Sequence, residues 1–318
     1  MRLALPLCLL ATPLVAQDFT LSVPLDCPDD SCFIQQYVDR DPGPGATDLT
    51  CGPLSYDDHK GTDFALPSLA MMEGGVPVRA AAPGTITGVR DELPDIPADA
   101  PYAPDLDGRD CGNGVVVDHG GGWETQYCHM KQGSVAVAAG DTVSLTTVLG
   151  QVGLSGRTQF PHLHLSVRKD GAVVDPFEAV DDGACGYDPT ATLFADPPAY
   201  QPGGLIASGF SDAVPEYADV KAGTAGAASL STNDPALVIW SYAFGSRAGD
   251  ALDMKITGPE DEVIAQSVDL ERTQAQLFRA IGRRTPPEGW PAGSYTGEIA
   301  LRRGDDVIDR QTIQITLD

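Results

Sequence analysis

The chain alternates short apolar runs with breaks rich in glycine, proline and aspartate, and no long stretch keeps a helical period. Val115-Val116-Val117 is a compact apolar run, Gly120-Gly121-Gly122 supplies a turn, and residues 123–129 read as a returning strand, which together predict a β-hairpin. With the turn centred near 120–121, Cys128 falls opposite about residue 113, within two residues of Cys111. Residues 91–110 break this pattern with four prolines, seven acids and one arginine, and read as a long acidic loop. Residues 17–50, which include Asp41-Pro42-Gly43-Pro44-Gly45, read as an irregular arm held by disulfides. Pro197-Pro198 and the turn Gln201-Pro202-Gly203-Gly204 introduce a second unit. In that unit residues 237–244 and 295–301 read as strands, and Ile313, Ile315 and Leu317 alternate with polar residues. Residues 270–281 fit two patterns. Leu270, Gln274, Leu277, Phe278 and Ile281 trace a helical face, while their neighbours favour a strand. The expected architecture is mainly β: an antiparallel sheet domain over 51–195, then a β-sandwich of Ig-like type over 200–318.

Composition narrows the function classes. Glycine (35) and proline (26) are too frequent among 318 residues for a helical bundle. A 42% hydrophobic content argues against disorder throughout. The 20 Lys and Arg against 45 Asp and Glu leave a net charge of −25, which argues against binding a nucleic-acid backbone. Arg2, the apolar residues 3–15 and Ala16 read as a secretory signal over 1–16. That run is too short to span a bilayer, so no stable membrane insertion is expected after cleavage. Export to a periplasm, or beyond the cell, follows.

Cys8 lies in the signal, and six cysteines remain: Cys27, Cys32, Cys51, Cys111, Cys128 and Cys185. An even number in an exported chain suggests disulfides. Six cysteines allow fifteen connectivities, and sequence alone selects none. Cys27 and Cys32 are close enough to close a small loop, and Cys111 and Cys128 flank the hairpin. Cys51 and Cys185 would then remain to tie together the ends of one domain. A cysteine-held zinc cluster is the competing reading, but no C-x-x-C pair is present.

All five histidines fall between residues 59 and 164. His59 and Asp63 form H-x-x-x-D, and His162 and His164 form H-x-H. On a strand, i and i+2 share a face, so both imidazoles of H-x-H can enter one pocket. Tyr127 and His129 have the same spacing, which would turn Cys128 the other way, toward a structural bridge. Two imidazoles and a carboxylate suit zinc, and a catalytic zinc site keeps one position for water. Hydrolysis also needs a proton carrier and an oxyanion donor, and histidines beside the metal can supply both.

In this order the motifs resemble the LytM/lysostaphin-type zinc metallopeptidases, which cut peptides of bacterial cell walls. The resemblance rests on His59-x-x-x-Asp63, Gly112-Asn113-Gly114-Val115-Val116-Val117-Asp118-His119-Gly120, Tyr127-x-His129, Gly150-x-Val152-Gly153-x-Ser155-Gly156 and Pro161-His162-Leu163-His164, and runs to about Phe177. It implies one zinc ion held by His59, Asp63 and His164, with His129 and His162 as catalytic histidines, and peptidoglycan peptides as substrate. His119 matches as a strand residue with a structural hydrogen bond. Tyr127 and Asn113 are candidates to face the substrate, with packing and turn roles the alternatives. Some relatives lack ligands and only activate other wall hydrolases, so a latent or regulatory wall-binding protein is the competing reading, although all five positions are filled here. The acidic loop is a groove wall, a specificity element or a latent plug. The C-terminal unit lies outside the resemblance and is a candidate surface for wall or a protein partner, with plain stabilisation the alternative.

Overall fold

A computed structural model describes residues 19–27, 31–178 and 185–318; the expected signal sequence and Cys8 lie outside these residues. The N-terminal part contains β1 (Phe33–Gln36), β2 (Thr62–Ala65), α1 (Leu69–Gly74), β3 (Pro77–Arg79), β4 (Gly84–Arg90), β5 (Asn113–Gly120), β6 (Trp123–Met130), β7 (Thr142–Val143), β8 (Val148–Gln151), β9 (His162–Lys169) and β10 (Ala172–Val174). The C-terminal part contains β11 (Gly204–Ser211), α2 (Tyr217–Ala222), β12 (Ala236–Ser246), β13 (Asp250–Thr257), β14 (Glu262–Leu270), β15 (Gln274–Arg284), β16 (Gly293–Arg303) and β17 (Asp306–Leu317). Among the described residues no helix is long and apolar enough to cross a membrane.

The main sheet runs β1-β2-β9-β6-β5-β4-β7, with β10 also on β9, and its pairings are antiparallel. Strand β9 therefore sits between β2 and β6, the two strands that bring Asp63 and His129 to it. Alternation fixes which face each residue takes. Leu163, Leu165 and Val167 of β9 are buried in the core with Phe64 of β2 and Val115 and Val117 of β5. His162 and His164 then face the other way. Asp63 pairs directly with His164, and Ala65 with His162.

The hairpin forms one residue later than the pattern suggests, because Gly120 pairs with Trp123. A bulge between Asn113 and Val115 places Cys128 beside Gly114, and the Cys111–Cys128 bridge closes with a Cα–Cα distance of 4.8 Å. Cys27–Cys32 and Cys51–Cys185 complete the three disulfides among the described residues. The aspartate- and glycine-rich arm is not irregular throughout. Phe33 and Ile34 carry enough apolar surface to add β1 as an edge strand, and Leu21, Tyr37 and Leu49 join the core.

In the C-terminal part the sheets β11-β12-β15 and β14-β13-β16-β17 share one apolar core. The ambiguous stretch resolves as strand β15. Leu277 and Ile281 enter that core, while Phe278 and Ala280 pack on Trp240 and Tyr242 on the opposite face. Apolar cover on both faces is what blurred the period. The two parts meet at Phe33 and Phe244, whose ring centroids are 4.5 Å apart. Fully buried Gln35 donates to the Ala275 carbonyl at 2.7 Å and accepts from the Gln276 amide at 3.1 Å.

Cys51–Cys185 closes a span of 134 residues. Replacing both cysteines by serine is expected to lower the unfolding free energy by about 3–5 kcal/mol; a urea midpoint that does not move would refute a clamping role. Asp175 tests burial instead. Its Oδ1 accepts the Phe177 N–H at 2.9 Å, while its Oδ2 lacks a partner. Burial lifts this carboxyl to about 7, with Arg40 and the Phe177 N–H opposing and Glu178 and Asp48 adding to the rise. An unfolded chain gives up that proton near 3.8. The fold therefore loses stability as pH climbs between those values, with the full cost present above the upper one. Asp175→Asn is expected to stabilise the protein at pH 8 by roughly 1–4 kcal/mol and to change little near pH 4, measured by denaturant unfolding.

Candidate metal centre and active site

His59 enters the centre from the turn before β2, Asp63 from β2, and His164 from β9. Their inward atoms lie close together. His59 Nε2 is 3.1 Å from Asp63 Oδ1 and 3.1 Å from His164 Nδ1, and His164 Nδ1 is 2.8 Å from Asp63 Oδ1. Gly61 allows this approach, since a Cβ there would come within 2.6 Å of His164 Nε2 and 2.7 Å of the Leu165 carbonyl oxygen.

The outer ring nitrogens show what the inner ones carry. His59 Nδ1 lies 2.6 Å from the Tyr37 carbonyl oxygen, which can only accept, so Nδ1 bears a proton. Ser166 Oγ donates to the Lys60 carbonyl and so accepts from His164 Nε2, at 3.1 Å. Each neutral ring therefore turns a lone pair inward. Two lone pairs and a carboxylate oxygen meeting within 3.1 Å need a cation between them, a proton or a metal ion. This donor set, two nitrogens and one oxygen with the Tyr37 carbonyl and the Ser166 hydroxyl behind the rings, fits a divalent metal such as zinc.

His129, His162 and His164 form a second group whose ligand atoms lie within 4.8 Å of one another, sharing His164 with the first. The set containing Asp63 is the better ligand set, because its carboxylate offsets part of a divalent charge. That choice leaves His129 and His162 free beside it. His129 Nδ1 donates to the Ser155 carbonyl at 2.7 Å, and His162 Nδ1 to the Phe160 carbonyl at 3.0 Å, with Thr158 Oγ1 at 3.1 Å. His129 Nε2 is left to act, and His162 Nε2 lies 3.4 Å from Asp63 Oδ1. The rings of His129 and His162 are 4.6 Å apart, and Phe160 stacks on His162 at 4.4 Å.

The electrostatics follow from burial and from one charge. Burial would raise the Asp63 carboxyl, but His59 and His162, with hydrogen bonds from His162 and His164, hold it well below the usual carboxylate range. Burial opposes charge on His59, yet Asp63 wins and raises it. Burial lowers His164, against the pull of Asp63. Burial, then His162 and His164, hold His129 well below the ordinary imidazole value, so it is neutral at pH 7.

Two expectations about strand β6 are corrected. His129 has φ 61°, a left-handed conformation that interrupts the alternation. Such a residue costs roughly 1–3 kcal/mol. The His129 N–H to the Cys111 carbonyl, at 2.8 Å, and the ring bond to Ser155 offset much of it, at about 1 kcal/mol each. As a result Tyr127 does not share the site face. It is fully buried in the core, where its hydroxyl accepts the Ala81 N–H at 2.7 Å, and burial raises it to about 12. Cys128, paired with His164, stands on the site side of the sheet. Asn113 is not at a groove either. It is fully buried, with its side chain bonded to the Leu93 N–H and carbonyl and to the Met130 carbonyl. His119 bonds the Pro83 carbonyl at 2.7 Å and Thr125 Oγ1 at 2.8 Å, outside the centre.

The motifs do not mark Tyr56, whose half-exposed ring stacks on His59 at 4.3 Å, or Thr158 and Phe160, which hold His162; Ser155, which holds His129, falls in the Gly150-x-Val152-Gly153-x-Ser155-Gly156 motif, which assigns it no role. Ser155 and Phe160 orient the rings through backbone carbonyls, which any residue type carries, so no side-chain pattern could have assigned them that role.

Residues 57–176 match Peptidase family M23. Similar curated proteins include the peptidoglycan DD-endopeptidase ShyA of Vibrio cholerae, 32% identical over 121 residues, covering 38% of this chain and 23% of that protein. The DD-carboxypeptidase/endopeptidase Mpg of Neisseria meningitidis is 35% identical over 120 residues, covering 37% of this chain and 22% of that protein. The matched stretch thus spans less than a quarter of either relative. Among solved structures, a zinc-containing peptidase from Vibrio cholerae aligns at 24% identity and a TM-score of 0.34, over 49% of this chain and 39% of that one. The matched interval contains every histidine and Asp63, and coincides with the motif-bearing stretch from His59 to about Phe177; it is over this stretch that the chain is similar to Peptidase family M23.

Proposed function

We propose that this protein is an exported zinc metalloendopeptidase that hydrolyses peptide bonds in peptidoglycan stem peptides or cross-links. One observation carries the reading: His59 Nε2, Asp63 Oδ1 and His164 Nδ1 converge within 3.1 Å with lone pairs inward, and two further imidazoles stand beside them. The relatives named as peptidoglycan endopeptidases support the substrate class. Three disulfides suit an oxidising compartment, with a periplasm favoured.

When bound, zinc supplies Lewis acidity that makes water more acidic and polarises a carbonyl. His59, Asp63 and His164 would hold it, and the Tyr37 carbonyl and Ser166 hydroxyl fix the two rings. His129, neutral and oriented by Ser155, takes the proton of the attacking water at Nε2. His162, held through Nδ1, carries a proton at Nε2 during turnover and donates to the oxygen that becomes negative. The same proton carriers then serve the departing amine. A regulatory role without catalysis would not require this complete set of free, oriented histidines.

His129→Ala is expected to reduce turnover by at least about 100-fold while one equivalent of metal stays bound; full activity would remove its assigned role. His164→Ala is expected to lose the metal, read by elemental analysis after dialysis, and an unchanged zinc content would show that the ligand set is wrong. The substrate class is tested by incubating zinc-loaded protein with purified sacculi, with and without chelator, and sizing the released fragments by mass spectrometry. Chelator-sensitive cuts within the peptides are expected; intact sacculi at full zinc loading would favour the regulatory reading.

A further inference from the structure

The acidic loop is fastened to the chain on both sides of the histidine pair. Half-buried Asp95 is its hub. Asp95 Oδ1 accepts the Leu154 N–H at 2.7 Å, and Oδ2 accepts the Gln132 N–H at 2.9 Å. Leu154 immediately precedes Ser155, whose carbonyl orients His129, and Gln132 follows His129 by three residues. One carboxylate therefore holds both ends of the hydrogen bond that aims His129. Gly153 permits the contact, since a Cβ there would come within 2.3 Å of the Lys131 nitrogen and 2.6 Å of Asp95 Oδ1. The loop reaches the second histidine as well. The Ala98 N–H donates to the Thr158 carbonyl at 2.8 Å, and Thr158 Oγ1 lies 3.1 Å from His162 Nδ1. Further bonds run from the Gly133 N–H to Asp91 Oδ1, at 2.9 Å, and from the Gln132 amide to the Glu92 carbonyl, at 2.9 Å. Among the described residues, no hydrogen bond from 91–110 reaches His59, Asp63 or His164.

We propose that residues 91–110 are a brace for the histidine pair and not a plug over the site, with Asp95 the positioning residue for His129. A carboxylate suits this task because both of its oxygens accept, so it can join two backbone amides that have no sequence neighbour to pair with. The loop holds the two segments that carry or orient the histidines, and the bare backbone of Gly153 lets it sit against them. The inference rests on the hydrolytic reading above and deepens it.

The test compares Asp95→Ala and Asp95→Asn, with exposed Asp99→Ala as a control expected to match the parent. Asp95→Ala is expected to lower kcat roughly 10- to 100-fold, to move KM by less than about threefold, and to keep one equivalent of zinc. Asp95→Asn, which keeps one acceptor oxygen, is expected to recover part of the loss. Two readouts stand apart from turnover. Amide exchange at Gln132 and Leu154 should speed up in Asp95→Ala, and the ¹⁵N spectrum of the His129 ring should lose its single Nδ1–H tautomer. Zinc and kcat falling in proportion would reduce Asp95 to general stability and overturn the positioning role. A rise in turnover, in Asp95→Ala or on deleting 93–107, would establish a plug. If the parent shows no chelator-sensitive turnover, the hydrolytic reading fails, and the exchange and tautomer data still decide whether the brace exists.

Discussion

The site is organised around one oxygen, Asp63 Oδ1, which lies 3.1 Å from His59 Nε2, 2.8 Å from His164 Nδ1 and 3.4 Å from His162 Nε2. A carboxylate only 2% exposed is costly unless it is well paired, and these imidazoles are what make its burial tolerable. The arrangement depends on the register of β2 against β9. A slip of one residue would turn Asp63 into the core and bring Phe64 to the site. The apolar pairing of Phe64 with Leu163 makes that slip unfavourable, so the core face fixes the polar face.

The rings are aimed from behind. His59, His129 and His162 each give one nitrogen to a backbone carbonyl, and His164 gives one to a hydroxyl. A ring fixed at one nitrogen has its tautomer and direction set at the other. These supports come from Tyr37 of the arm, from Ser155 and Phe160 of the segment before β9, and from Ser166 of β9 itself. The glycines around them are part of the same device, because the backbone can approach a ring or a neighbouring segment only where no Cβ stands between.

Contact between the two parts of the chain reaches the site as well. Phe244 of β12 packs on Phe33, and Phe160 and Ile206 join that cluster. Phe160 stacks on His162 and accepts its Nδ1–H through the backbone. The buried Gln35 bonds make this contact directional, since its amide is satisfied only when β15 lies against β1.

The sequence by itself determined the β architecture and the hairpin with its cysteines, and it singled out the His and Asp residues that the fold brings together. Those features are local: alternation of period two, glycine turns, and side-chain chemistry at short spacing. It left Tyr127 open between facing the substrate and packing, because the left-handed turn at His129, which breaks the strand pattern and leaves Tyr127 in the core, is not marked in the sequence. It left residues 270–281 open, because apolar neighbours cover both faces of β15. Only the tertiary structure decided which residues aim the histidines. Asp95 meets Leu154 across 59 residues, and His129 meets Ser155 across 26. These partners are chosen by where backbone amides and carbonyls come to lie, and every residue has a carbonyl, so the one-dimensional pattern carries no mark of them.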